Sequence, residues 1–370
     1  MASNGHENGN GNGSANNGAS GSWMIYGANG YSGELAARLA VSRGLSPILA
    51  GRNREAVERL GQELGLPVRV FSLDSEADTR THLRDVAAVL HCAGPFSRTS
   101  APMLEACIET GTHYLDITGE LDVFEAIHNQ NERIATASIV ALPGTGFDVV
   151  PSDCLAAKLK RAVPGADSLS IGFRSSHGKG GPGTMKTMFE GMAKGARVRR
   201  DGKIVLKTEQ MVKSFPFIDD KEQPAVALSW GDVATAYRST GIPNIECFIG
   251  VPKQQIKGMQ PSPGVRRVLS LPLVQKYGQK AIGRLVKGPT EDERRGGHMY
   301  LVGEVSAPDG SRKRMRLTLP DGSEFTAAAA LACVERVLAG DVPAGAQTPA
   351  TAFGADFVDS LEGVKVEELR

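Results

Sequence analysis

The amino-acid sequence predicts an α/β fold built on a doubly wound parallel sheet and followed by a second domain. From Ser22 to about residue 150, short apolar runs alternate with amphipathic helical segments, the order that parallel strands joined by crossover helices produce. The first of these runs leads into a three-glycine turn and a helix. After Pro151 the alternation loosens, and segments richer in Gly and Pro follow, which indicates a domain boundary.

The N-terminal domain contains six predicted strands and five predicted helices in alternation. The strands are Trp23 to Tyr26, Pro47 to Ala50, Val68 to Leu73, Ala88 to Cys92, His113 to Asp116 and Ile139 to Leu142. The helices are Gly33 to Arg43, Arg54 to Leu64, Glu76 to Arg84, Ala101 to Thr110 and Val123 to Ala137. We assign this Rossmann-like order to residues 22–150. Residues 1–21 are mostly Gly, Asn, Ser and Ala with little to bury, and they predict a disordered tail.

The second domain is predicted to span residues 151–324 and to begin with a helix at Ser152 to Ala162. Two later segments, Met299 to Val305 and Arg314 to Leu319, flank a Pro-Asp-Gly turn and predict an antiparallel pair. The chain ends with a region, residues 325–370, that opens on an Ala-rich segment. This segment is the strongest helical pattern in the sequence.

Composition narrows the possible partners. Lys and Arg together number 42 and Asp and Glu 41, so no net field draws the chain to nucleic acid. The five widely spaced cysteines form no Cys-x-x-Cys pair, which argues against a disulfide framework and a zinc knuckle. No apolar run approaches the roughly 18 residues that a membrane span needs, and the N-terminus has no signal-peptide pattern. We therefore expect a cytoplasmic protein with a small-molecule substrate. A homodimer is one open alternative for its assembly.

The basic stretch at residues 265–287 is the one segment with a possible membrane role. It is partly amphipathic, and Pro272 and two glycines interrupt it. A pair of solvated surface helices is the favoured interpretation. The alternatives are a lid over an apolar pocket and peripheral contact with a membrane surface.

The turn after the first predicted strand has the spacing of a dinucleotide-binding loop. Gly27 permits the tight turn, Gly30 lets the backbone approach a diphosphate, and Gly33 allows the helix to pack closely on the strand. The free N–H groups at the start of that helix attract negative charge. The predicted cofactor-binding residues of this loop are Gly27, Asn29, Gly30, Tyr31, Ser32 and Gly33.

The tip of the second strand indicates NADP(H) rather than NAD(H). An NAD enzyme usually carries an acid here for the ribose 2′-hydroxyl, but this sequence has Arg52, followed by Asn53. A guanidinium can pair bidentately with a 2′-phosphate. The alternative for Arg52 is an ordinary surface arginine, as we interpret Arg54.

The ends of the third and fourth strands lie at the same predicted edge of the sheet. Asp74 follows the third strand and is expected to contact adenine. Ala93, Gly94 and Pro95 follow the fourth, where the backbone would let the dinucleotide pass closely. An ordinary turn is an equally good interpretation of these residues.

These features, with the segments at residues 111–120 and 144–153, resemble the saccharopine dehydrogenase-like oxidoreductases, a family that includes trans-acting enoyl reductases. The resemblance covers about residues 22–155 and thins beyond them. It implies an NADP-binding Rossmann domain, a second mixed α/β substrate domain, and a C-terminal helix that packs back near the first domain. It names no substrate, because related proteins act on imines, secondary amines and acyl-linked alkenes.

Asp116, Asp148 and Tyr237 are the candidate catalytic residues. Asp116 ends the fifth strand and Asp148 follows the sixth, so both should face the cleft beside the nicotinamide. A loop-capping role is the alternative for each carboxylate. Tyr237 could donate a proton from the second domain, with core packing as its alternative. Phe147 is expected to pack on the nicotinamide or in the core.

Two other chemistries have no support in the sequence. None of the seven histidines pairs with another histidine or a cysteine at metal-ligand spacing, so no metal is predicted. None of the six tyrosines has a lysine four residues later, the arrangement that short-chain dehydrogenases use. The Gly-rich loop at residues 177–184 is a candidate second anion site, although a plain loop is the simpler interpretation.

The sequence therefore predicts an NADPH-dependent oxidoreductase that transfers a hydride to an activated double bond of a small organic or acyl substrate. An enoyl-type C=C bond is slightly favoured, because the only candidates for an arginine cluster that would hold a polycarboxylate are Arg98 and Arg174. An imine reductase or a saccharopine-type amine dehydrogenase is the first alternative. A non-catalytic protein that senses NADP(H) is the second.

Overall fold

The structure, a computed structural model, describes residues 21–176, 196–207, 211–258, 262–286 and 296–369, together with Met185 and Phe189. The predicted disordered tail, apart from Gly21, and the Gly-rich loop at 177–184 lie outside these residues. No helix among the described residues is long and apolar enough to cross a membrane.

The strands in chain order are β1 (Trp23–Tyr26), β2 (Ile48–Gly51), β3 (Val68–Val70), β4 (Ala88–His91), β5 (His113–Asp116), β6 (Val140–Leu142), β7 (Ser168–Ser175), β8 (Ala196–Arg200), β9 (Lys203–Lys207), β10 (Val212–Ile218), β11 (Lys221–Leu228), β12 (Asn244–Gly250), β13 (His298–Ser306), β14 (Arg312–Pro320), β15 (Gly345–Ala346) and β16 (Lys365–Leu369). The α-helices are α1 (Tyr31–Ser42), α2 (Arg54–Leu64), α3 (Glu76–Leu83), α4 (Phe96–Thr110), α5 (Leu121–His128), α6 (Asn131–Thr136), α7 (Val150–Ala162), α8 (Asp232–Thr240), α9 (Pro263–Leu269), α10 (Pro272–Leu285), α11 (Gly322–Leu338) and α12 (Pro349–Phe353). Two 3-10 helices cover Lys253–Gly258 and Phe357–Ser360.

Seven strands form a parallel sheet in the order β15-β6-β5-β4-β1-β2-β3. Successive side chains of a strand point to opposite faces. Ile25, Leu49 and Leu90 therefore join the core beneath α1, α2 and α11. Met24 and Val89 join the other core, beneath α3, α4 and α5. Both faces are covered, which confirms the predicted doubly wound parallel sheet.

The second sheet is mixed. Its main path runs β10-β11-β12-β7-β13-β14-β16, and β8 pairs with β12 and with β9. The β7–β12 pair is parallel, whereas the other pairs are antiparallel. The predicted pair around the Pro-Asp-Gly turn is β13 and β14. The predicted second domain of mixed α/β structure is thereby confirmed as a fold class.

The chain from α11 onward contacts both sheets. Helix α11 packs against α1, where short alanine side chains on both helices allow close approach. Strand β15 adds a seventh strand beside β6, and β16 pairs with β14 in the second sheet. One continuous hydrophobic core therefore joins α1, α7, α11 and the inner face of the second sheet.

Local signals explain where several helices begin and end. The Asn53 side chain accepts a hydrogen bond from the Ala56 N–H at the start of α2, and Gly65 ends that helix with a φ of 67°. The predicted helix Val123 to Ala137 is wrong as one element, because the chain breaks between α5 and α6. The break puts Asn131 at the start of α6, where its side-chain oxygen accepts a hydrogen bond from the Ala346 N–H of β15 at 2.9 Å.

Candidate functional site

The carboxyl ends of the parallel strands form the edge at which ligands bind in such sheets. Strand β1 lies between β2 and β4, so the chain order reverses direction beside it. Tyr26, His91 and Asp116 stand side by side at this edge as the last residues of β1, β4 and β5. The predicted site residues that follow β1, β2 and β4 thus lie along one edge of the parallel sheet.

The loop after β1 is a tight turn whose glycines are sterically required. Gly27 has a φ of 83°, and its N–H donates to the Ala50 carbonyl at 2.7 Å. A Cβ on Gly27 would lie 2.8 Å from the Ala93 nitrogen, and one on Gly33 would lie 2.3 Å from the Gly27 oxygen. Alanine at either position would force the turn, α1 and the loop after β4 apart.

The N-terminus of α1 is suited to a diphosphate. Its N-cap residue is Gly30, which has no side chain to satisfy the first N–H groups. Gly30 is exposed, and Tyr31 and Ser32 are half-buried beside it. Because backbone N–H groups and the helix dipole both favour negative charge, these residues fit the phosphates of a dinucleotide.

The neighbouring N-terminus of α4 is already occupied by a carboxylate of this chain. Glu120 accepts hydrogen bonds from the Phe96 and Ser97 N–H groups, both at 2.8 Å. The Ala93 carbonyl accepts one from the Thr99 hydroxyl at 2.7 Å. A cofactor that passes over Ala93, Gly94 and Pro95 would therefore contact backbone rather than an open helix end. Of the N-termini of α1 and α4, that of α1 is therefore the one available to bind an anion.

Charged residues gather at the tips of β2 and β3. Arg52 and Asp74 are both exposed, and the Ser72 hydroxyl donates to Asp74 at 2.6 Å. Burial raises the pKa of the Tyr26 phenol to about 12, while the charge of Arg52 lowers it and that of Asp74 raises it. Both charges therefore lie near Tyr26. The Asn29 side-chain oxygen lies 3.0 Å from where a Cβ on Gly51 would be, so the β1 and β2 loops meet there.

Asp116 is fully buried, and protein donors satisfy its carboxylate. One oxygen accepts from the Tyr114 hydroxyl at 2.6 Å, and the other accepts from the Thr118 and Gly144 N–H groups, both at 2.9 Å. Burial raises the pKa of Asp116 to about 6, although these hydrogen bonds oppose the rise. This arrangement joins the loops after β5 and β6, and it favours the loop-capping interpretation over proton relay.

Asp148 has a different environment. It is half-buried, and no described residue donates a hydrogen bond to its carboxylate. A Cβ on Gly119 would lie 2.7 Å from one of its oxygens, so the carboxylate rests against the loop after β5. The Trp230 indole N–H donates to the Asp148 carbonyl at 2.9 Å, which ties its backbone to the second domain. Burial raises the pKa of Asp148 to about 7.

The two aromatic candidates lie elsewhere. Phe147 is 9% exposed and makes edge contacts with Phe173 and Phe325, in the core between the two sheets. Tyr237 packs its ring 4.2 Å from the Arg199 guanidinium, and its hydroxyl faces Gly202 in the β8–β9 turn. Within the described part of the chain, no hydrogen bond joins Tyr237 to Asp116 or Asp148. Both aromatics match the packing interpretations that the sequence left open.

In the part of the chain that the structure describes, no group of three or more His, Cys, Asp or Glu side chains could hold a metal ion. The five cysteines are free, and four of them are buried.

With this geometry established, the chain can be compared with known proteins. Residues 23–142 match the model of the saccharopine dehydrogenase NADP binding domain. The predicted resemblance is therefore confirmed over β1 to β6, and NADP(H), the cofactor predicted from the glycine turn and Arg52, is the one that this domain family binds.

Relatives of known name match this chain over only part of their own length. A saccharopine dehydrogenase-like oxidoreductase of Bos taurus is 25% identical over 223 residues, which are 54% of this chain and 51% of that protein. A trans-acting enoyl reductase of Mycobacterium leprae is 34% identical over 148 residues, which are 38% of this chain and 35% of the other. The matched part of the chain thus spans about half or less of these relatives.

The fold of both domains recurs in a solved structure. Apo saccharopine dehydrogenase (L-Glu forming) from Saccharomyces cerevisiae superposes with a TM-score of 0.66 at 11% identity, covering 95% of this chain and 100% of the other. Homospermidine synthase from Legionella pneumophila gives 0.61 at 10% identity, covering 95% and 92%. A parallel Rossmann-like sheet joined to a mixed second sheet is therefore a recurring architecture.

Sequence reasoning missed one polar group near Asp148. Asp232, the first residue of α8, is fully buried, and among the described residues neither of its carboxylate oxygens has a hydrogen-bond partner of good geometry. Burial raises its pKa well above the usual range; the neighbouring Ser152 hydroxyl lowers it, while the charges of Asp153 and Asp148 raise it further. In the sequence, an acid at a helix start indicates a solvated dipole partner. The packing of α8 against α7, α5 and β12 accounts for its burial.

Proposed function

We propose that this protein is an NADPH-dependent reductase of an activated C=C bond, with Asp148 as the group that supplies the proton. The observation that carries the proposal is the Asp148 carboxylate, which is half-buried, lacks a hydrogen-bond donor among the described residues and has a pKa raised to about 7. A general acid is most effective when its pKa lies near the working pH.

The residues around the glycine turn fit NADPH. The uncapped N-terminus of α1 would hold the diphosphate, and the exposed Arg52 would pair with the 2′-phosphate. When bound, NADPH supplies the hydride. The protein contributes orientation, because the loops after β4, β5 and β6 lie together at the edge where the order of strands reverses.

The need for a proton distinguishes a C=C bond from a C=N bond. An alkene conjugated to a carbonyl that gains a hydride at its β carbon must also gain a proton at its α carbon. A protonated imine that gains a hydride is already an amine. An acid held near neutrality therefore serves alkene reduction more directly. Among relatives, the name of the Mycobacterium leprae protein, trans-acting enoyl reductase, agrees with this choice.

The distribution of cations also favours a substrate with few carboxylates. Arg98 is exposed on α4 in the first domain, whereas Arg174 is half-buried on β7 in the second sheet. They lie on elements of different domains, so neither domain alone presents both arginines to a polycarboxylate.

The experiment is a substrate panel. The protein is incubated with NADPH and with enoyl thioesters of different chain length or with cyclic imines, and oxidation is followed at the nicotinamide absorbance. We expect turnover of at least one enoyl thioester and a large loss in Asp148→Asn. Turnover of imines alone would favour the imine reductase alternative. NADPH binding without turnover of either class would favour the sensing alternative.

A further inference from the structure

Helices α9 and α10 present apolar side chains to solvent. Neither helix has a buried residue. On α9 and the residue that precedes α10, Val265, Val268 and Leu271 are about half exposed. On α10, Leu273 is 67% exposed and Leu285 is 81% exposed, the highest value among the large apolar residues described. A contiguous group of exposed apolar side chains indicates an interaction surface.

Helix α10 carries apolar side chains on the face that an ordinary surface helix covers with polar ones. Leu273, Tyr277, Ala281 and Leu285 are exposed and recur every four residues, so they form one outward stripe. The half-buried side of the helix holds Val274 and Ile282 together with two glutamines. Gln275 is half-buried and donates to the Leu269 carbonyl at 2.7 Å, and its helical neighbour Gln279 is half-buried as well.

Cations line the apolar stripe. Lys276, Lys280 and Arg284 are exposed and also recur every four residues, directly beside the stripe. The wider segment at residues 247–290 contains eight Lys and Arg and no Asp or Glu. Because the whole chain has a net charge of only +1, the rest of the chain is net acidic and the positive charge is concentrated here.

We propose that α9 and α10 form a peripheral docking surface for membranes that contain anionic lipid. Exposed Leu, Val and Tyr side chains beside a row of Lys and Arg are the combination that places a helix at the boundary between headgroups and acyl chains. The apolar stripe enters the acyl region, while the long Lys and Arg side chains reach the lipid phosphates. The concentrated charge selects an anionic membrane over a second copy of this chain, because two such surfaces would repel each other. This proposal does not depend on the reaction proposed above.

The test is sedimentation of the full-length protein with phosphatidylcholine vesicles that either contain or lack phosphatidylserine. We expect binding at least tenfold tighter to the anionic vesicles, and weaker binding at high salt. Replacing Lys276, Lys280 and Arg284 together with Gln should weaken it roughly a hundredfold, because each cation near the surface contributes. The matched control replaces Arg43, Arg59 and Arg84, three exposed cations of the first domain, with Gln and should bind as the wild type does.

A second variant tests the apolar stripe. Leu273→Ala, Tyr277→Ala and Leu285→Ala combined should weaken vesicle binding at least tenfold and leave the melting temperature unchanged, because all three side chains are exposed. Equal binding to neutral vesicles, or equal binding by the Gln variant and its control, would overturn the proposal. So would absence of vesicle binding together with a dimer that the apolar variant dissociates, since the surface would then be an interface between copies.

Discussion

Strand β5 ends on Asp116 and the loop after β6 carries Asp148, both at the same edge of the parallel sheet, and the two carboxylates have opposite surroundings. Asp116 is fully buried and accepts hydrogen bonds from the Tyr114 hydroxyl and from the Thr118 and Gly144 N–H groups. Asp148 is half-buried and meets no donor from the described residues. Position at a strand end therefore does not decide whether an acid holds a loop; the donors that the folded chain brings to it do.

The pKa values express this contrast. Burial raises the pKa of both groups, to about 6 for Asp116 and to about 7 for Asp148. Hydrogen bonds that stabilise the ionised form act on Asp116 alone. Protein donors therefore hold the ionised form of Asp116, whereas no described donor offsets the effect of burial on Asp148.

The largest expected effect follows from removing the acid at Asp148. Asp148→Asn keeps the size of the side chain but cannot donate an acidic proton, so kcat should fall about a hundredfold or more. The dissociation constant for NADPH and the melting temperature should stay near their wild-type values. Asp116→Asn is the matched control and should keep kcat within about threefold, because an amide can still accept both N–H bonds. A larger kcat loss in the control than in Asp148→Asn would reverse the assignment of the two roles.

The free energy of unfolding tests whether Asp116 holds its loops in place and Asp148 does not. Asp116→Ala leaves one buried hydroxyl and two buried N–H groups without their acceptor, so the free energy of unfolding should fall by about 3 kcal/mol. Asp148→Ala loses no such bond and should cost less than about 1 kcal/mol. Denaturant unfolding of both variants gives these values. Equal losses would mean that Asp148 holds the loops as firmly as Asp116 does.

Much of the first domain follows from the sequence because its signals are local. Runs such as Trp23–Tyr26 and Ile48–Gly51 are strands buried on both faces, so they stand out as short apolar segments. The cap Asn53 and the left-handed Gly65 define both ends of α2 within its own segment. The turn containing Gly27 is equally local.

Features that depend on distant packing were not predictable in the same way. Strand β15 has only two residues, and it exists because Gly345 and Ala346 pair with β6, some two hundred positions earlier. The roles of Asp116 and Asp148 depend on which donors the folded loops bring to each carboxylate. The burial of Asp232 depends on the contact of α8 with α7. Sequence position identifies both acids as candidates because they lie at strand ends, but it does not distinguish their roles.

A substitution at Arg52, at the tip of β2, tests whether the preference for NADPH can be changed without changing the acid. Arg52→Ala should weaken NADPH binding about tenfold and leave NADH binding nearly unchanged, because only NADPH carries the 2′-phosphate. Arg54→Ala is the matched control. That side chain is exposed and pairs with Glu58 on α2, so both cofactors should bind as before. Fluorescence titration of each variant decides this, and an equal loss for NADPH and NADH in Arg52→Ala would make Arg52 structural.

The smallest expected effect concerns Tyr237. Its ring packs on the Arg199 guanidinium, and within the described residues its hydroxyl makes no hydrogen bond. Tyr237→Phe keeps the packing and removes only the hydroxyl, so steady-state kinetics should give a kcat close to that of the wild type. A drop of tenfold or more would move the proton donor from Asp148 to Tyr237.

The pH dependence of kcat/KM is the most direct test of Asp148 as the acid. A group that must be protonated, with its pKa raised to about 7, supports full activity below that pH and loses it as the pH rises. The wild-type value of kcat/KM should therefore be level on the acid side and fall about tenfold per pH unit above pH 7, whereas Asp148→Asn should show a low and flat profile. The same fall in Asp148→Asn as in the wild type, or a wild-type rate that rises with pH through this range, would contradict the account.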